Sequence, residues 1–103
     1  MRRVVRQNEI GKVSKVILEG FIEVPENDLE LVRVELPNHI KLTRNENGCM
    51  IFDVNQDQEN KCRFNVYEEF VNQESFDFHQ KRVKLSRWGE ITKNVKRNYN
   101  IKS

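Results

Sequence analysis

Two histidines, two cysteines and sixteen carboxylates are the side chains of this 103-residue sequence best suited to acid–base, nucleophilic or metal chemistry. Nucleophilic attack needs a thiolate beside a base, so Cys49 or Cys62 would have to stand exposed near His39 or His79. Both cysteines fall on alternating runs that place them on an apolar face, which favours buried, reduced thiols. They also lack CxxC spacing for a metal. Asp77 and His79 are two apart, and on a strand they would share a face and could do acid–base or metal work. A pair is fewer ligands than a metal site uses, and His39 directly follows the turn signal Pro37-Asn38. No GxSxG, HExxH, P-loop or GxGxxG occurs. The expectation is a chain with no catalytic residues, no metal and no cofactor.

Charge is the more informative pattern. Residues 1–20 carry +3, residues 21–80 carry −8 and residues 81–103 carry +7, so a net charge of +2 hides an acidic body with basic ends. The C-terminal run Lys81, Arg82, Lys84, Arg87, Lys93, Lys96 and Arg97 has Trp88 and Tyr99 interleaved. Cations neutralise phosphates and aromatic rings stack on unpaired bases, so nucleic acid is one reading of that segment. A protein interface anchored by Trp88 is the other. Glu23, Glu26, Asp28, Glu30 and Glu35 form an acidic cluster that could meet a basic protein or simply be a solvated edge.

The elements that would position these residues read as strands. Alanine is absent while valine, isoleucine and phenylalanine are plentiful, which disfavours helix and suits a pleated surface. Lys12 to Val24 alternates, with Val16, Leu18, Ile22 and Val24 on one parity; Gly20 there signals a bulge or a close backbone approach. Leu29 to Leu36 reads as a further strand, broken by Pro37-Asn38. His39 to Val54 reads as a hairpin tipped by Asn45-Glu-Asn-Gly48. A second hairpin turns near Asp57 and Gln58 and puts Cys49, Ile51, Cys62, Phe64 and Val66 on one face. Val66 and Phe70 permit two helical turns, Ser75 to Ser86 reads as another strand or hairpin, and Ile91, Val95 and Tyr99 are spaced for a short helix or a docked tail.

The resulting expectation is a mainly β, or α+β, fold. It would be a small antiparallel barrel or sandwich-like sheet of five to seven short strands with one or two short helices, similar in element order to an OB barrel. Residues 1–86 form the β-rich domain and residues 87–103 a basic C-terminal segment. The function expected is that of a small non-enzymatic binding module, an accessory or inhibitor domain, with DNA or RNA binding through the same segment as the alternative. Its expected binding residues are Lys81, Arg82, Lys84, Arg87, Trp88, Lys93, Lys96, Arg97 and Tyr99. Another protein is the first expected partner, and a homodimer is compatible. No run approaches the apolar length of a membrane span and no apolar stretch follows the basic N-terminus, so a cytoplasmic protein is expected. The Asn/Lys/Ile-rich, alanine-free composition suggests an AT-rich source, a low-GC bacterium or a phage.

Overall fold

The structure, a computed structural model, describes residues 14–103. Arg2, Arg3, Arg6 and Lys12 of the basic N-terminal end lie outside the described residues.

Strand β1 (Val16–Glu23) follows the alternation in the sequence. Val16, Leu18 and Ile22 are buried on one face, while Ile17, Glu19, Phe21 and Glu23 occupy the other. Strands β2 (Cys49–Gln56) and β3 (Arg63–Phe70) form an antiparallel hairpin. Its loop is held by the Asp57 carboxylate, which accepts from the backbone N–H groups of Glu59 and Asn60 and from the Asn65 amide. Strand β4 (Lys96–Lys102) pairs with the free side of β1, giving an open antiparallel sheet in the order β2-β3-β1-β4. Gly20 permits that last pairing: a Cβ there would lie 2.0 Å from the Asn98 carbonyl oxygen, and φ is +155°.

One sheet face presents Leu18, Ile22, Phe52, Val54, Phe64, Val66 and Phe70, and a sheet with such a face must be covered. Three helices cover it: α1 (Leu29–Arg44), entered through a 3-10 turn at Glu26–Asp28, α2 (Gln73–Lys84) and α3 (Arg87–Ile91). Val32, His39 and Thr43 are the buried residues of α1, at intervals of seven and four that fit a helix and not a strand. Phe76 and His79 are those of α2, with Val83 packed behind them. The Asn72 side chain caps α2 by accepting from the Ser75 N–H, and the Ser86 side chain caps α3 by accepting from the Gly89 N–H.

The expected barrel or sandwich of five to seven strands is therefore corrected to an open four-stranded sheet under three helices. Leu29–Leu36 and His39–Arg44 are one continuous helix, in which Pro37 removes a single i→i−4 bond without ending it. Phe76 and Phe78 do not share a strand face. On helix α2, Phe76 is buried and Phe78 is 59 % exposed, because residues two apart on a helix point to opposite sides. The two helical turns expected from Val66 belong to β3, and helix begins only at Gln73. An irregularity between Cys49 and Ile51 also breaks the β2 parity, so Ile51 faces outward while Cys49 is half-buried opposite Phe70. Among the described residues no helix is long and apolar enough to cross a membrane.

Candidate active site

Under the helices, Ile22, His39, Phe52, Val54, Val66, Glu68, Trp88, Arg97 and Tyr99 enclose a cavity with about 30 Å3 of space, room for a water molecule. Four of these residues are aromatic rings. His39 stacks on Trp88 with centroids 4.5 Å apart and planes 5° off parallel, and meets Phe52 edge-on at 5.3 Å. Two buried polar atoms of this wall lack a protein hydrogen-bond partner, His39 Nδ1 and Glu68 Oε1. Orphaned polar atoms are rare in folded cores, and two on one small cavity mark a place built for something polar to enter.

Glu68 sits mid-way along β3, opposite Leu18 and Phe52. Burial, then the nearby Glu46 carboxylate, push its carboxyl up to about 8, so it holds its proton at neutral pH. Burial, with smaller contributions from His79 and Arg82, holds His39 down to about 3, so that ring is neutral. Tyr99 is raised to about 12, by burial first and Glu68 second, with Arg97 opposing. The cavity thus presents a neutral acid, a neutral imidazole and a phenol among apolar rings.

Behind Glu68 lies a second layer of polar groups. His79 Nε2 is 4.0 Å from Glu68 Oε1, while His79 Nδ1 is 3.0 Å from both Glu46 carboxylate oxygens. An N–H donating to that carboxylate leaves Nε2 with the lone pair, aimed at Glu68. Glu46, on the turn after α1, is itself held by the Arg82 guanidinium, which also donates to Thr43 Oγ1 at 3.0 Å. Burial lowers His79, partly offset by Glu46. A proton leaving Glu68 or arriving there has an acceptor and donor one short step away.

Of the residues expected at a binding site, Trp88, Arg97 and Tyr99 line this cavity and Arg82 braces Glu46. Arg97 also donates to the Thr92 hydroxyl at 3.2 Å, and Thr92 Oγ1 donates to the Trp88 carbonyl at 2.6 Å, tying β4 to α3. Lys81, Lys84, Arg87, Lys93 and Lys96 are exposed and do not converge on it; Arg87 pairs with Glu35 at 3.4 Å and Lys93 with Glu90 at 3.3 Å. The Asp77–His79 pairing dissolves because α2 is a helix: Asp77 is exposed and accepts from Gln73, while His79 is buried. Sequence reasoning missed Glu46 and Glu68 altogether. His79 had a signal, in its helical spacing from Phe76 and Val83. Among the described residues, no group of three or more His, Cys, Asp and Glu could hold a metal ion.

Solved structures repeat this fold at low identity. A Bacteroides thetaiotaomicron protein of unknown function, for which an oxidoreductase role has been suggested, superposes with a TM-score of 0.73 at 20% identity, covering 86% of this chain and 96% of its own. A Deinococcus radiodurans protein bearing the antibiotic biosynthesis monooxygenase name gives 0.72 at 21%, covering 85% and 90%. A Nitrosomonas europaea protein of the same name gives 0.72 at 15%, covering 88% of each chain. No curated protein matches the sequence. Residues 15–90 match the family described as antibiotic biosynthesis monooxygenase. That match overturns the expectation of a non-enzymatic binding module, and with it the nucleic-acid alternative, since the charge pattern on which both rested is largely a set of exposed lysines and arginines away from the cavity. With most of its length inside the match, from the start of β1 through the cavity wall at Trp88, the chain belongs to the antibiotic biosynthesis monooxygenase family.

Proposed function

We propose that this chain is a monooxygenase that oxidises a planar organic substrate bearing an acidic C–H or O–H, with the buried cavity as its active site. The observation that carries the reading is Glu68: a buried carboxyl with an unpartnered oxygen on an aromatic-walled cavity, backed by His79 and Glu46. Family membership supplies the reaction class and the side chains supply the roles.

Glu68 in its ionised form takes the substrate proton, and His79 Nε2 shares or relays it. The carbanion or phenolate so formed is the electron-rich species that reacts with dioxygen. For an activated methylene the balance closes without a further reductant: the CH2 becomes a carbonyl, one oxygen atom enters it, and the other leaves as water with the two hydrogens. Tyr99 and Arg97 line the cavity where they can hold the developing oxyanion, and Trp88, His39 and Phe52 give a flat substrate an aromatic wall to lie against. The resting cavity takes only a small molecule such as water, so binding a planar substrate requires its wall to open. A cytoplasmic location goes with this reading, since Cys49 and Cys62 are unpaired thiols.

The test is oxygen uptake with isotopically labelled dioxygen, over a panel of cyclic 1,3-diketones and polyhydroxylated aromatics. Label enters the product of at least one substrate class, the rate climbs with pH through about 8 as Glu68 ionises, and Glu68→Gln lowers kcat about a hundredfold and removes that limb. A Gln variant of full activity, or no labelled product across the panel, would reject the reading.

A further inference from the structure

The other side of α1 carries a second concavity that shares no residue with the active-site cavity. Arg33, Leu36, Pro37, Ile40, Lys41 and Arg44 lie along one helix face and, with Asn45, Gln56 and Phe64, enclose a groove of about 600 Å3. That volume is in the range of small-molecule sites. Leu36, Pro37, Ile40 and Phe64 give it an apolar floor; every charged residue lining it is a cation.

We propose that this groove binds a small organic anion with an elongated apolar body, of the medium-chain alkyl carboxylate type. Length supports the shape: eleven helical steps from residue 33 to residue 44 span about 16 Å. Charge supports the head group. Arg44 is already held in place, Nε and one terminal nitrogen donating to the Phe52 carbonyl at 3.0 and 2.8 Å and the same terminal nitrogen reaching Asp53 at 3.0 Å. Its other terminal nitrogen has no partner among the described residues, so a pre-oriented pair of donors is left over. Lys41, one turn back, has no ion-pair partner among the described residues, and Arg33 has only a 3.9 Å approach to exposed Glu30. A carboxylate between Lys41 and Arg44 with its chain laid over Ile40, Pro37 and Leu36 satisfies both.

The test is an NMR titration of the full chain with octanoate, and with octanol as its uncharged counterpart, at low and high salt. Saturable shifts are expected in the amides of residues 33–36, 38–45 and Gln56, leaving Glu68, His79 and Tyr99 unmoved, with octanoate binding tighter than octanol. The double variant Arg33→Glu/Lys41→Glu, both surface changes, should weaken octanoate about tenfold, the product of two exposed charge contacts, with the thermal midpoint unchanged. Shifts confined to the Glu68 cavity, equal affinity for the alcohol, or no saturation would overturn the proposal. So would movement of the same amides on raising protein concentration alone, which would assign the groove to a second copy of the chain. None of these results bears on oxygen uptake, so the two readings stand or fall separately.

Discussion

Glu68 and Glu69 are chain neighbours on β3, and the pleat sends one to each face of the sheet. Glu68 faces the helices, keeps an oxygen without a partner and is pushed up to about 8, chiefly by burial. Glu69 faces outward, where the Tyr67 hydroxyl and the Lys15 ammonium, the latter at 3.0 Å, hold it below the usual carboxylate range. The same side chain at consecutive positions is an acid on one face and a paired anion on the other. What separates them is supply of donors. The outer face bonds its carboxylate to a phenol and an ammonium, whereas the inner carboxyl, among Phe52, Trp88 and Val66, has an oxygen with no hydrogen-bond partner and His79 Nε2 4.0 Å away. The inner face is thereby suited to proton transfer and the outer to structure.

The contrast can be broken most strongly by removing what walls the inner carboxyl. Trp88→Ala deletes the ring stacked on His39, and urea unfolding should show a loss of about 3–5 kcal/mol. Next comes Glu46→Ala, which leaves His79 and Arg82 without their shared partner. It should cost about 3 kcal/mol and allow His79 to change tautomer, read by imidazole nitrogen NMR. A smaller but sharper result comes from pH. Glu68 ionises near 8 when folded and near 4.5 when unfolded, so the folded state holds the extra proton between these values and stability falls as pH rises through that window. His39 titrates near 3 folded and 6.5 unfolded, so stability also falls as pH drops from 6.5 towards 3. Between 4.5 and 6.5 the two slopes oppose each other, and unfolding midpoints should peak there. Glu68→Gln should flatten the alkaline limb and be more stable than the parent protein at high pH.

Glu69→Gln should give the smallest effect and the opposite sign. Its folded carboxyl is lowered, so its contribution is present above the unfolded value of 4.5 and lost as pH falls through the folded one. The Gln variant should be slightly weaker than the parent at neutral pH, equal to it in acid, and closer to it in high salt. If both Gln variants showed the same pH dependence, the two faces would not differ as described.

Some of this was legible from local pattern alone. The alternation of Val16, Leu18 and Ile22 marks β1, the polar loop around Asp57 marks the β2–β3 hairpin, and Gly20 marks the close approach of β4. The helices were not. Missing alanine and the presence of Pro37 argue against α1, and Phe76 and Phe78 imitate a strand, because a short apolar run can satisfy a period of two and a period of 3.6 at once. The caps at Asn72 and Ser86 were the available counter-signal. Trp88, Arg97 and Tyr99 stood out by residue type, but embedded among cations they pointed to a surface rather than a cavity wall.

The sequence by itself determined where β1 runs and where the β2–β3 hairpin turns, because alternation and turns are set within a few residues. Only the tertiary structure decided that residues 29–44, 73–84 and 87–91 are helices, since the exposed apolar sheet face had to be covered and these segments lie over it. That covering also made the site. It brings His39, Glu46, Glu68, His79, Trp88 and Tyr99 together from α1, the turn after it, β3, α2, α3 and β4, and it shields Glu68 from bulk solvent. A carboxyl becomes an acid through what surrounds it, and those surroundings come from parts of the chain far apart in sequence.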